Sequence, residues 1–171
     1  ADIGRAEGVD AVAVLLRSLG AEHAGDELVG VGMAPFFYLP HTIFVADHGL
    51  DHFEVSMQAQ YELTKRFTAE FSIRPYILRY PEETLQRLRL WAGDASPHVR
   101  RLVSEGTRLR LPWAMRVSWL DAHPERVLEL LELLKDDPAS VVRRSVANNL
   151  NDIGKDHPDV LLEVAAGFRP K

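Results

Sequence analysis

The stretch Val99-Arg-Arg-Leu-Val-Ser-Glu105 decides the fold, because it returns downstream as Val142-Arg-Arg-Ser-Val-Ala-Asn148. Its upstream context returns with it, Trp91-Ala-Gly-Asp94 before the first copy and Leu134-Lys-Asp-Asp137 before the second. Earlier in the chain, Lys65-Arg-Phe-Thr-Ala-Glu70 aligns with the same core without gaps. Each copy opens on a basic pair (Lys65-Arg66, Arg100-Arg101, Arg143-Arg144), and the copies lie 35 and 43 residues apart. Such a period marks helix pairs that stack into a solenoid, with equivalent positions aligned along one face. The basic pairs are therefore expected to form a ladder, with the residues four positions later in a second row beside it.

Outward from the repeat, nearly every segment reads as helix. Val9–Leu19 is amphipathic and stops at Gly20. Phe53–Phe67, Pro81–Trp91, Pro97–Glu105, Pro124–Leu134, Pro138–Leu150 and Pro158–Ala165 follow. Five of these open on proline at or near the first position, where its missing N–H costs nothing. Asp137, His123 and His157 suit the cap positions before them, and no segment alternates as a strand would. The apolar run from Leu28 to Ala46 is broken by Pro35 and Pro40 and reads as core helices, since a bilayer span needs roughly 20 uninterrupted apolar residues. The expected fold is all-α, a HEAT-like helical repeat solenoid (an α-α superhelix) forming a single domain over residues 1–171.

Composition narrows the function classes. A chain of 171 residues with 46% hydrophobic and 26% charged residues has the balance of a soluble globular domain. The absence of cysteine excludes disulfides and thiolate chemistry. No secretory signal pattern opens the chain, so a cytoplasmic protein that avoids membranes is expected. His48 and His52 have the i, i+4 spacing of a metal pair, flanked by Asp47 and Asp51, but lack a third ligand, so no metal is expected. The net charge of −5 is unevenly spread. Between Arg74 and Arg116 nine arginines face four acids, a local excess of +5 that leaves −10 on the remainder. Such a band either steers a polyanion or decorates exposed helix faces.

Glu70 and Glu105 share one repeat position, which in stacked helices places them ~10 Å apart on one face. Asn148 replaces them in the third copy, and Asp152 follows one turn later. The same spacing also allows plain intrahelical pairing, Glu105 with Arg101 and Glu70 with Arg66 or Arg74. Trp113, in Leu111-Pro-Trp, reads equally as a core residue or a groove contact. Trp91 and Trp119 lie on apolar helix faces and belong to the core.

Several longer strings carry a family resemblance: Asp51-His-Phe-Glu-Val-Ser56, Gln60-Tyr-Glu-Leu-Thr-Lys-Arg-Phe-Thr-Ala-Glu-Phe-Ser-Ile-Arg-Pro75, His98-Val-Arg-Arg-Leu-Val-Ser-Glu-Gly-Thr-Arg108, Leu111-Pro-Trp-Ala114, and Val142 through Pro158. From about Leu28 onward the chain resembles the AlkC branch of the AlkC/AlkD family of DNA glycosylases. Such proteins generally begin with further N-terminal helices, and some continue into an immunoglobulin-like domain. The chain is accordingly expected to be a fragment without those parts. The resemblance implies a monomeric enzyme without cofactor that acts on double-stranded DNA containing alkylated bases. It would excise cationic bases such as 3-methyladenine and 3-methylcytosine by N-glycosidic hydrolysis, without base flipping. Glu70, Glu105 and Asp152 are the expected catalytic carboxylates, and Trp113 the expected contact to sugar or lesion. Arg66, Arg74, Arg100, Arg101, Arg108, Arg110, Arg143, Arg144 and Lys155 are the expected DNA contacts. The alternative is a non-catalytic HEAT-like scaffold that binds DNA or protein.

Overall fold

The computed structural model of the protein describes residues 11–22 and 34–167. Among these residues every regular element is helical, and no helix is long and apolar enough to cross a membrane. Residues 11–17 form α1, and a 3-10 turn over Ala34–Tyr38 leads into α2 (Leu39–His48) and α3 (Phe53–Thr64). Then come α4 (Arg74–Arg79), α5 (Pro81–Trp91), α6 (Pro97–Gly106), α7 (Ser118–Ala122), α8 (Pro124–Leu134), α9 (Ser140–Asp156) and α10 (Pro158–Gly167). The expected helix start at Val9 and the beginning of the Leu28–Ala46 run lie outside the described residues.

Proline sets several boundaries. Pro81, Pro97, Pro124 and Pro158 each begin their helix, where the chain has no carbonyl waiting for their absent N–H. Pro138 does not begin α9. Asp137 Oδ1 accepts the Ala139 N–H at 2.8 Å, and this turn holds the chain out of helix until Ser140. The helix then runs past the expected end at Leu150 to Asp156, because the next breaker is Pro158. Short helices α4 and α7 have too few residues for a periodic pattern to announce them.

The helices pair as α2/α3, α5/α6 and α8/α9, and α6 lies along α9 between successive pairs. Leu102, Val103, Leu130, Leu131, Val142 and Val146 fill the space between these helices. Asn149 reaches from α9 to the Ser104 carbonyl at 2.7 Å and to the Thr107 hydroxyl at 3.2 Å, tying the two helices at a buried point.

One device recurs at repeat-equivalent positions. Asp94 accepts the Ser96 N–H as Asp137 accepts that of Ala139. Arg100 donates to the Asp94 and Ala95 carbonyls as Arg143 donates to those of Asp137 and Pro138. Each aspartate is also gripped from the preceding repeat, Asp94 by the Tyr61 hydroxyl at 3.0 Å and Asp137 by Arg100 at 2.6 and 2.9 Å.

The first copy of the motif departs from the expected ladder. α3 starts 44 residues before α6, so the gapless offset of 35 carries Arg66–Glu70 beyond the helix end into a loop. Arg66 donates to the Gly20 carbonyl and to Glu62, and it does not stand in register with Arg101 and Arg144.

Candidate functional site

α6 and the turn after it present His98, Arg101, Glu105 and Arg108 at successive turns along one side of a groove of about 950 Å³. Val141 and Arg144 of α9 extend the same side, at the positions equivalent to His98 and Arg101. The loop after α3 contributes Thr68 and Glu70, and an apolar wall is made by Phe36, Leu39, Ile43, Phe67 and Phe71. Leu111, Pro112 and Trp113 form the remaining rim.

The floor is a chain of alternating charges. Glu70 Oε2 accepts from Arg101 and from the Thr68 hydroxyl, both at 2.9 Å. Arg101 also approaches Glu105 Oε2 at 3.8 Å. Glu105 Oε1 accepts from Arg108 at 2.8 Å, and its Oε2 accepts from the Ser145 hydroxyl at 2.6 Å. Arg108 Nε then donates to Asp152 at 2.8 Å. Burial alone would lower the Arg108 pKa, but Asp152 and Glu105 outweigh it and raise the guanidinium above its ordinary value. Among the described residues, Oε1 of Glu70 accepts no hydrogen bond, whereas both oxygens of Glu105 are engaged.

The expected site residues do not share one environment. Glu70, Glu105, Trp113, Arg101, Arg108 and Arg144 all line the groove. Asp152 does not: it is 3% exposed and sits behind Arg108, where it anchors that side chain. Arg100 and Arg143 turn to the far side of their helices and hold the Asp94 and Asp137 turns. Arg110 pairs with Asp156 beside the rim, and Lys155 is exposed near the end of α9. Arg74 requires a correction. It is 1% exposed, and its guanidinium donates to the carbonyls of Gly106, Arg108 and Met115, so it cannot meet a phosphate. Burial lowers its pKa to about 10, which leaves it charged at neutral pH.

Trp113 is 98% exposed, and its backbone is left-handed with φ at 61°. A non-glycine residue in that region carries about 1–3 kcal/mol of strain and persists only where the surroundings impose it. The indole is therefore a projected side chain, whereas Trp91 is buried and Trp119 is half-buried and stacked on His123 at 4.3 Å. Thr68 and Ser145 lie inside the repeat copies, and Phe67 and Phe71 inside the longer strings, yet nothing in the pattern marks them as site residues. Thr68 and the wall reach the groove from the loop after α3, the turn before α2 and α2 itself, and Ser145 supports Glu105 from the buried side of α9.

The model of the DNA alkylation repair enzyme family matches residues 65–164, more than half of the chain and all of the charged floor. The chain belongs to the DNA alkylation repair enzyme family. The Bacillus subtilis (strain 168) protein YhaZ is 45% identical over 122 residues, 71% of this chain and 34% of that protein. The structure of Pseudomonas fluorescens alkylpurine DNA glycosylase AlkC, bound to DNA containing an abasic site analog, is 43% identical, with a TM-score of 0.75 over 79% of this chain. The chain spans 38% of that AlkC chain. At that identity the helical-repeat architecture of this family member is the AlkC one over the matched part.

Proposed function

We propose that the groove is the active site of a monofunctional DNA glycosylase that hydrolyses the N-glycosidic bond of cationic alkylated nucleotides in duplex DNA. The observation that carries this reading is the pair Glu70 and Glu105, each held by an arginine and a hydroxyl in a groove that an exposed tryptophan also lines. A base such as 3-methyladenine or 3-methylcytosine already carries positive charge. When its bond to C1′ breaks, the electron pair stays with the base, which leaves neutral, and the cation passes to the sugar as an oxocarbenium ion. Fixed carboxylates stabilise that charge where it develops, as in glycosidases. Glu70, with one oxygen unengaged, suits the attacking water and accepts its proton as C1′ is hydroxylated. Glu105, with both oxygens engaged, supplies a preorganised negative field.

The arginines suit the phosphates on either side of the lesion. Trp113 suits the deoxyribose or the cationic base edge, where an aromatic face is worth ~0.5–2 kcal/mol to a cation. An open groove supports reaction without extrusion of the base, since base-flipping enzymes close a pocket around the flipped nucleotide. The similarity to AlkC supports the same reading. The test is single-turnover incubation of the chain with duplexes carrying 3-methyladenine or 3-methylcytosine, followed by alkaline cleavage of abasic sites. Release from either lesion, and none from unmodified duplex, is the expected result. Duplex binding with no release from either lesion would leave a non-catalytic DNA-binding scaffold in its place.

A further inference from the structure

Arg74 is among the largest fully buried side chains of the described residues. Among the described residues no carboxylate lies within ion-pair distance of it, and three carbonyls take its place. A guanidinium is seldom buried without a carboxylate, because its desolvation must be offset by its hydrogen bonds. The three acceptors share a meaning. Gly106 O, at 3.0 Å, belongs to the last residue of α6, where the helix dipole is negative. Arg108 O, at 2.9 Å, belongs to the residue whose side chain holds both Glu105 and Asp152. Met115 O, at 2.7 Å, lies two residues beyond Trp113. One rigid fork therefore joins both ends of the loop that carries the strained indole.

The approach is close. A Cβ on Gly106 would stand 2.7 Å from Ile73 Cγ2, so the end of α6 packs against the Ile73 side chain, next to Arg74, at a distance that glycine permits. Outside the fork, Arg116 bonds Asp121 at 2.9 Å and Asp156 at 3.2 Å, and Arg110 bonds Asp156, bracing the same loop at its surface. Trp113 itself, 98% exposed, gains almost nothing from packing. Its left-handed backbone must be imposed by these anchors.

We infer that Arg74 is a positioning residue that holds Trp113 and Arg108 at the groove by stapling the ends of their loop. The inference rests on the proposed glycosylase reading for its effect on catalysis, but the staple itself can be tested without it. Chymotrypsin cleaves after tryptophan only where a local segment can unfold into its cleft. The stapled loop should resist it at Trp113 despite full exposure. In Arg74→Met, and less so in Arg74→Lys, cleavage at Trp113 should rise by about tenfold or more while other sites stay protected and melting stays cooperative. Base release at saturating protein should fall by about tenfold to a hundredfold with duplex affinity held within about twofold, as misplacement without loss of contact predicts. Arg74→Met combined with Trp113→Ala should be no slower than the worse single variant.

Unchanged cleavage and unchanged release in a folded Arg74→Met protein would overturn the staple, and so would losses that multiply in the double variant. If Arg74→Met does not fold, Arg74→Lys decides by the same readouts. If neither folds, the unsubstituted protein decides. Cleavage at Trp113 that appears only with global unfolding in urea supports the staple, and cleavage independent of urea overturns it. Absence of base release from the unsubstituted protein would remove the glycosylase reading alone, since the protease readout still decides the staple.

Discussion

Arg100 and Arg101 are neighbours in the chain and serve different sides of α6. Arg100 faces away from the groove, where it makes a two-pronged bond to Asp137 and caps the Asp94 turn, both parts of the scaffold. Arg101 faces the groove and meets Glu70, a carboxylate delivered by a loop and still 13% exposed. The first arrangement closes its charges on one another, and the second, among the described residues, leaves one Glu70 oxygen unengaged at the groove. A helix of one residue per 100° thus separates structure from chemistry within a dipeptide. The same division recurs at Arg143 and Arg144, the former on the Asp137 turn and the latter on the groove.

The comparison breaks or sharpens under substitution. The largest effect belongs to the groove. Glu105→Gln should slow release of 3-methylcytosine by about 10²–10³, the usual cost of one preorganised electrostatic group, while duplex affinity stays unchanged. Single-turnover rates and binding isotherms measured together check this, and an unaltered rate would make Glu105 a structural carboxylate. On the other side, Arg100→Ala should destabilise the fold by about 3 kcal/mol, because it strands Asp137 with 4% exposure. Urea unfolding reads that loss, and equal stability of Arg100→Ala and Arg101→Ala would erase the distinction between the two sides.

The Arg100 side also carries a pH signature. Burial alone would raise the Asp137 pKa, but the Arg100 guanidinium and the Ala139 N–H outweigh it and hold it below the ordinary value. A carboxylate depressed in the folded state contributes its stability above its unfolded pKa of about 3.9 and loses it as pH falls through the folded value. Unfolding free energy should therefore decline below about pH 4, and Asp137→Asn should flatten that decline.

Smaller again, Arg101→Ala should weaken binding to damaged and undamaged duplex alike and lower the salt slope by about 0.9, the share of one phosphate contact. Titrations at several salt concentrations measure it, and an unchanged slope would remove Arg101 from the DNA surface. The least effect is expected at the exposed pair of Arg126 and Glu82, where Arg126→Ala should leave the urea unfolding midpoint essentially unchanged.

The sequence by itself determined the helical repeat, because hydrophobic period, proline starts and recurring Asp and Arg positions are local signals that survive without a partner. Glu105 and Arg101 were legible for the same reason, since both lie in a helix whose period fixes their side. Tertiary structure alone decided the rest. Glu70 reaches the groove through a loop and not at an equivalent helical position, because α3 ends before the gapless alignment does. Arg74 follows Glu70 by four residues yet points into the interior, since α4 begins there and carries it beneath the Trp113 loop. The arginine excess between residues 74 and 116 is a property of the string. In space, Arg79, Arg87, Arg89, Arg100, Arg101, Arg108, Arg110 and Arg116 each meet a carboxylate from outside that segment. Charge in a folded chain is set by distance through space and by exposure, and one-dimensional counting carries neither.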